Sequence, residues 1–381
     1  MNRQGMKTAH RQTPSGKTRA RGAGVPFVGT PGPFNAITDV AGVEVGYRTL
    51  IRGDGPLVVG QGPVRTGVTA IFPRGRANPE GAAYAGYFSM SGNGEMSGAA
   101  FVEERGRFDG PVTITNTHSC GLSRDVTAQW LFSQHDSSQK VDQPFYLPVS
   151  AETHDGPLND INGHHVTAQD VIAAFEDART GWIEEGSVGG GTGMRCFEYK
   201  GGSGTASRVV SYDGRDYTVG AFVQSNFGKR HLLKIAGVPV GLELPIVDFS
   251  PPEYGSIIGI VATDAPMLPH QLRRMARRAA YGISATGGIA SNESGDLFLA
   301  FSTANEEAVR RHDGVIATEQ LGEAAMSRFY EATIQAVEEA IMNSIFANKT
   351  MTGINGFTVR ALPIPEVQDI LRRYNRLTSE M

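Results

Sequence analysis

Cysteine, excess charge of one sign and long apolar runs are all scarce in this 381-residue chain, and each scarcity removes a class of protein. Only Cys120 and Cys196 are present, too few for a disulfide framework, which agrees with a reducing compartment; a cytoplasmic location is expected, with the periplasm as the alternative. The 35 basic residues nearly balance the 39 acidic ones, so there is no basic excess to hold nucleic acid by its phosphates. No stretch approaches the ~20 apolar residues that a membrane helix needs. Neither nucleic acid nor membrane is expected as a partner. His-Glu-x-x-His is missing and His164-His165 has no companion at ligand spacing, so neither a metal nor another cofactor is expected. Gly189 to Gly193 is followed by no Gly-Lys-Ser/Thr, which removes a phosphate loop.

Glycine, by contrast, is abundant at 48 residues and clusters in turns around short apolar runs, as a sheet protein requires. Strands are predicted over 43–50, 67–72, 84–90, 112–117, 208–212, 217–223, 257–262 and 297–302. Helices are predicted over 124–135, after Thr167 as hydroxyl cap, around Leu272, Met275, Ala276 and Ala279, over 319–348, and after Pro365. Residues 1–24 carry Arg3, Lys7, Arg11, Lys17, Arg19 and Arg21, no acid and no apolar core, and read as a mobile basic tail. Residues 25–381 then form one α/β (α+β) domain. His118 and Cys120, two apart in a strand, would share a face, and Cys120 reads as a buried structural thiol rather than a catalyst.

The most informative place is Gly255-Ser256. Ahead of it, Pro251-Pro252 cannot be helical; behind it runs the apolar segment Ile257 to Ala262. A serine hydroxyl here has the preceding carbonyl within covalent reach, and glycine tolerates a bent backbone at that point. Attack would give an ester that water opens, leaving fragments 1–255 and 256–381. The second fragment would begin with a serine whose own α-amine, titrating near pH ~8, can serve as its base. The dipeptide alone also fits a plain strand start.

Several segments carry a resemblance over about residues 25 to 365: Thr30-Pro31-Gly32-Pro33-Phe34-Asn35, Asn93-Gly94-Glu95-Met96, Glu152-Thr153-His154-Asp155-Gly156, Gly189 to Met194, Lys200 to Arg208, Gln224-Ser225-Asn226-Phe227-Gly228, Gly255-Ser256 and Ser294-Gly295-Asp296. In these the chain resembles the N-terminal-nucleophile (S58) aminopeptidases, which include L-aminopeptidase/D-amidase/D-esterase, β-peptidyl aminopeptidases and nylon-oligomer hydrolases. The resemblance implies a four-layer α-β-β-α sandwich built from two autoproteolytic fragments, assembled as a homotetramer of two-chain protomers. It implies Ser256 as nucleophile, Asn226 as oxyanion donor, Ser294 and Asp296 as residues orienting Ser256, and Lys200 as a supporting residue behind the site.

His154 departs from that pattern, since relatives carry an aromatic residue, usually tyrosine, whose phenol helps hold the oxyanion. A neutral imidazole still offers one N–H, so His154 is expected to substitute, with changed specificity or slower turnover. A free substrate amine needs a carboxylate; Glu95 is the first candidate, Glu152 and Asp155 the second. The reading is thus a self-processing serine aminopeptidase/amidase acting on short peptides, amides or esters of L-, D- or β-amino acids. Its rivals are a nylon-type ω-amino-acid oligomer amidase, an acyltransferase similar to ornithine acetyltransferases, and an uncut binding protein that keeps the scaffold.

Overall fold

The computed structural model describes residues 3–134, 144–245, 255–311 and 313–378. The expected proline-rich approach to the junction, 246–254, and His135 at the end of a predicted helix lie outside the described residues.

Two sheets form the middle of the molecule. The larger has six strands in the spatial order Arg107–Phe108, Ala83–Gly92, Ser294–Ser302, Gly255–Thr263, Arg215–Asn226, Gly202–Tyr212. The smaller has four, in the order Glu44–Arg52, Val64–Phe72, Val112–Asn116, Ser150–Thr153. Gly255–Thr263 is central in the larger sheet, parallel to Ser294–Ser302 and antiparallel to Arg215–Asn226. Strands on both sides of the junction therefore pair directly, so one domain contains both proposed fragments.

Side-chain alternation splits the central strand between two cores, as a strand covered on both faces must. Ile258, Ile260 and Ala262 pack between the sheets with Ile71, Ile114, Phe222 and Leu299. Ile257 and Val261 pack on the opposite face, against Leu272 and Met275 of helix Pro269–Thr286 and Phe329 and Ile341 of helix Met326–Phe346. A third core lies beneath the smaller sheet, where Val64, Val68 and Phe72 meet Val126 of helix Cys120–Gln134 and Val171 and Phe175 of helix Ala168–Glu176. These are the four layers, α-β-β-α. Thr167 caps its helix as expected, accepting from the Asp170 N–H while Asp170 returns a bond to the Thr167 N–H.

Three expectations are corrected. The predicted 319–348 helix begins only at Met326, after a 3-10 turn over Glu323–Ala325. Its first residues are tied elsewhere: Asn305 bonds the main chain of Glu319 at both ends, and the Leu321 N–H donates to the Pro266 carbonyl. His118 and Cys120 do not share a strand face, because the strand stops at Asn116, whose side chain accepts from the Ser119 N–H and turns the chain into a helix starting at Cys120. Cys120 is nevertheless buried as expected, and burial pushes its thiol up to about 12.

The third correction concerns the basic N-terminal segment. Arg3–Arg11 is helical, and Arg19 is only 1% exposed. The Arg19 guanidinium pairs with Glu185 at 2.7 Å and donates to the carbonyls of Ala9, Asn35 and Thr205. Arg21 makes two bonds to Glu339, at 2.6 and 2.8 Å, and Glu339 also pairs with buried Arg208. The segment is anchored, because its arginines answer carboxylates buried in the body rather than water.

Candidate active site

The ends of three neighbouring strands bring the predicted residues together. Ser256 is the register partner of Asn226 on one side and of Gly295 on the other. Ser256 continues the alternation of Ile258 and Ile260, so its hydroxyl faces the gap between the sheets. Asn226 follows Phe222 and Gln224 on the same face, and its Nδ2 lies 3.4 Å from Ser256 Oγ. The asparagine is fixed at both ends of its amide: Nδ2 donates to the His154 carbonyl at 2.9 Å, and Oδ1 accepts from the Arg195 N–H at 2.9 Å. Ser256 is 5% exposed and Asn226 4%.

Ser294 and Asp296 lie on the other face of the sheet, beside the main chain of the junction rather than beside the Ser256 hydroxyl. Ser294 Oγ donates to Asp296 Oδ1 at 2.6 Å, and the Ile257 N–H also bonds the carboxylate. Burial outweighs both bonds and raises Asp296 to about 6. Gly255 runs in the extended strand and is not among the positive-φ glycines, so it provides space, not a bend. A Cβ on Gly255 would sit 3.2 Å from Ser294 Oγ.

The smaller sheet supplies the opposite wall. Glu152 is buried; its Oε1 accepts from the Glu95 N–H at 3.0 Å and its Oε2 from Thr117 Oγ1 at 2.5 Å. The Cβ position of Gly94 lies 3.2 Å from both Glu152 Oε1 and the Cα of Gly295, which pairs with Ser256. Glu152 therefore faces the junction. Burial raises its carboxyl above the usual range, Thr117 and the Glu95 N–H opposing the shift. Glu95 itself is exposed and contributes its main chain. Asp155 is fully enclosed, accepts from Asn159 Nδ2 at 3.0 Å, and is raised to about 7 by burial. Its placement in the 2nd-choice amine pocket is corrected: no face of it is open to a substrate.

His154 meets Asn226 through its carbonyl, while its ring lies over Gly156, whose Cβ position is 2.8 Å from Nε2. Burial, then the charges of His118 and Arg195, hold His154 below its ordinary value, so the ring is neutral near pH 7. Lys200 is buried, pushed down to about 7, and donates to the carbonyls of Met194 and Gly201, stitching the glycine-rich turn that leads into Arg195. His165 bonds Asp160 at 2.8 Å and His164 stacks on His118, so neither joins the site. Among the described residues no group of three or more His, Cys, Asp and Glu is placed to hold a metal, and no helix is long and apolar enough to cross a membrane.

Sequence reasoning missed Thr117, which holds Glu152, and Arg195, which holds Asn226. By sequence Thr117 is only the last residue of the strand predicted over 112–117. Arg195 follows Gly189 to Met194 directly, but a single arginine after a glycine turn has no spacing that marks it.

Two facing sheets between helical layers are the architecture of the Ntn hydrolase fold, and solved aminopeptidases of that fold superpose on this chain. An L-aminopeptidase D-Ala-esterase/amidase from Ochrobactrum anthropi, described as a prototype for the serine aminopeptidases and a variant among the Ntn hydrolase fold, superposes with a TM-score of 0.89 at 44% identity, covering 94% of this chain and 99% of that one. A Burkholderia sp. beta-aminopeptidase gives 0.85 at 41% identity, with 93% and 99% covered. The beta-peptidyl aminopeptidase BapA of Sphingosinicella microcystinivorans is 50% identical over 377 residues, 95% of this chain and 93% of that protein. Peptidase family S58 matches residues 35–359, and the chain belongs to that family.

Proposed function

We propose that this aminopeptidase severs its own Gly255-Ser256 bond and then uses Ser256 to release N-terminal residues, of L-, D- or β-configuration, from short peptides, amides or esters. The observation that carries the reading is the pairing of a buried serine, at a glycine junction, with an amide donor 3.4 Å from its hydroxyl.

In the mature site Ser256 Oγ attacks the substrate carbonyl and its proton passes to the freed Ser256 α-amine. Asn226 Nδ2 donates to the oxygen that becomes negative, and its two fixed bonds mean it needs no reorientation to do so. As the C–N bond breaks, the amine returns the proton to the leaving nitrogen. Water, deprotonated by the same amine, opens the ester and releases the free acid. Ser294 and Asp296 flank the main chain where the new amine appears, and orient it. Glu152 binds the substrate amine, being buried and directed at the junction where Glu95 is exposed; His154 contributes through its carbonyl, which fixes Asn226. Two-chain protomers assemble as a homotetramer.

Intact mass measurement of purified protein tests the reading. Fragments of 1–255 and 256–381, the smaller starting Ser-Ile-Ile-Gly, are expected, with the Ser256→Ala variant uncut and inactive on β-alanyl, D-alanyl and 6-aminohexanoyl amides. A Ser256→Ala protein that matures and works would overturn it.

A further inference from the structure

Two main-chain groups from distant segments fix the Asn226 amide, the His154 carbonyl and the Arg195 N–H. Both segments close on one side chain, Asp155. The His154 carbonyl belongs to the planar peptide group that ends at the Asp155 Cα, so its direction follows the placing of Asp155. The Arg195 N–H comes just after the turn Gly189–Gly193, and a Cβ on Gly193 would lie only 2.7 Å from the Asp155 Cβ. Any shift of Asp155 is therefore felt by both anchors of the asparagine.

Asp155 is itself held firmly. Its Oδ1 accepts from Asn159 Nδ2 at 3.0 Å, and its carbonyl accepts from the N–H groups of Leu158 and Asn159 at 3.0 and 3.1 Å. Asn159 Oδ1 in turn accepts from the Arg65 N–H at 2.9 Å, and the Arg65 carbonyl is the main-chain atom nearest the Cβ position of Gly193. Strand Val64–Phe72, the turn over 155–159 and the glycine turn thus meet at one carboxyl. Keeping a carboxyl here is unfavourable, since burial raises it to about 7 against the opposing bonds of Thr66, Asn159, Asn116 and its own N–H. No substrate can reach it, because it is completely enclosed. Its contacts leave it one part to play, which is to fix main chain.

We propose that Asp155 is the positioning residue of the oxyanion site: by locking the His154 peptide against the glycine turn it holds the Asn226 amide aimed at the reacting carbonyl. A donor of this kind acts through its fixed direction, so a looser amide stabilises the transition state less while leaving substrate binding alone. The inference rests on the serine-aminopeptidase reading above, and adds to it a residue that touches neither the substrate nor Ser256.

A double-mutant cycle tests it, with Asp155→Ala made in wild type and in Asn226→Ala, maturation of each being verified by mass. On a β-alanyl amide, Asp155→Ala should lower kcat by about 10-fold in wild type with KM within about twofold, and by less than about twofold once Asn226 is already gone. Asp155→Asn keeps an acceptor for Asn159 and should recover most of kcat. An equal fold loss in both backgrounds, or a loss confined to KM, overturns the inference, because a merely structural role would not depend on Asn226. Asn159→Ala, which removes the donor without touching Asp155, should show the same pattern at smaller size if Asp155→Ala fails to fold. A crystal structure of the uncut Ser256→Ala chain carrying either variant needs no maturation: at least one of the two Asn226 bonds should lengthen beyond about 3.5 Å, and retention of both overturns the inference. Matured wild type that hydrolyses no aminoacyl amide would count against the aminopeptidase reading, while the crystallographic comparison would still decide the role of Asp155.

Discussion

Asn226 and Ser256 face each other across an antiparallel strand pair, with the asparagine amide held at both ends while its Nδ2 stands 3.4 Å from the serine oxygen. Such a donor is preorganised, because the bonds to His154 and Arg195 already fix the plane of its amide before any substrate arrives. Removing one oxyanion donor typically costs ~3–4 kcal/mol in the transition state. Asn226→Ala should therefore lower kcat by about 10²–10³ with little change in KM. Asn226→Asp keeps the acceptor for the Arg195 N–H yet replaces the donor with a negative oxygen, so its kcat should fall at least as far. Steady-state kinetics on an aminoacyl amide checks both.

Asp296 positions the new amine, and in the uncut chain burial raises its carboxyl to about 6. Asp296→Asn should lower kcat, while the acid limb of the pH profile, set by the Ser256 amine that must be neutral to act as base, stays in both proteins; kcat measured across pH checks this. The raised value also has a stability consequence. The folded value lies above the ordinary 3.8, so the folded chain holds the extra proton between about 4 and 6, and this group's contribution declines as pH rises through that window. In the uncut Ser256→Ala background, where no new amine faces the carboxylate, Asp296→Asn should melt at a higher temperature than its parent at pH 7 and lose that advantage near pH 4.

Glu152 and Glu95 separate cleanly by mutation. Glu152→Gln keeps one oxygen to accept from the Glu95 N–H, turns the bond to Thr117 Oγ1 round so that its amide nitrogen donates, and loses the charge that a substrate ammonium needs. Its KM for amides bearing a free amine should rise by about 10-fold or more, as loss of a charge-assisted hydrogen bond implies. Glu95→Gln changes an exposed side chain and should move KM by less than about threefold. Kinetics of the two variants on β-alanyl and L-alanyl amides reads the difference.

The N-terminal segment should be needed for stability. Deleting residues 1–24 leaves Glu185 and Glu339 in the interior without Arg19 and Arg21. Breaking a buried pair by removing one partner costs about 3–5 kcal/mol. Arg19→Met alone should lower stability to denaturant by about that amount, and the full truncation by more. Urea unfolding of the Ser256→Ala chain measures it without complication from dissociating fragments.

The linear chain already specified most of the frame. Alternating and continuous apolar runs marked the strands at 43–50, 67–72 and 257–262 because a strand covered on one or both faces needs that pattern whatever its neighbours are. Thr167 marked a helix start for an equally local reason: its hydroxyl answers N–H groups three residues away. The segments that resemble the family placed Ser256, Asn226, Ser294 and Asp296 as candidates for one site, though not their relative orientation.

Packing across the chain decided the rest. No local signal says that Ser294 and Asp296 lie on the opposite face of the sheet from the Ser256 hydroxyl, since that follows from the register of two parallel strands. Arg19 read as solvated because its neighbours in sequence are basic, and only the fold brings Glu185 from 166 residues away to meet it. Glu95 ranks ahead of Glu152 by sequence, and burial with the Thr117 bond reverses that order, while Arg195 gains a part only because its main-chain N–H fixes the Asn226 amide. Sequence determines periodicity and chemistry because both are short-range properties of the chain; which charges are desolvated, and what they face, depends on contacts between distant segments and so is set by the tertiary structure alone.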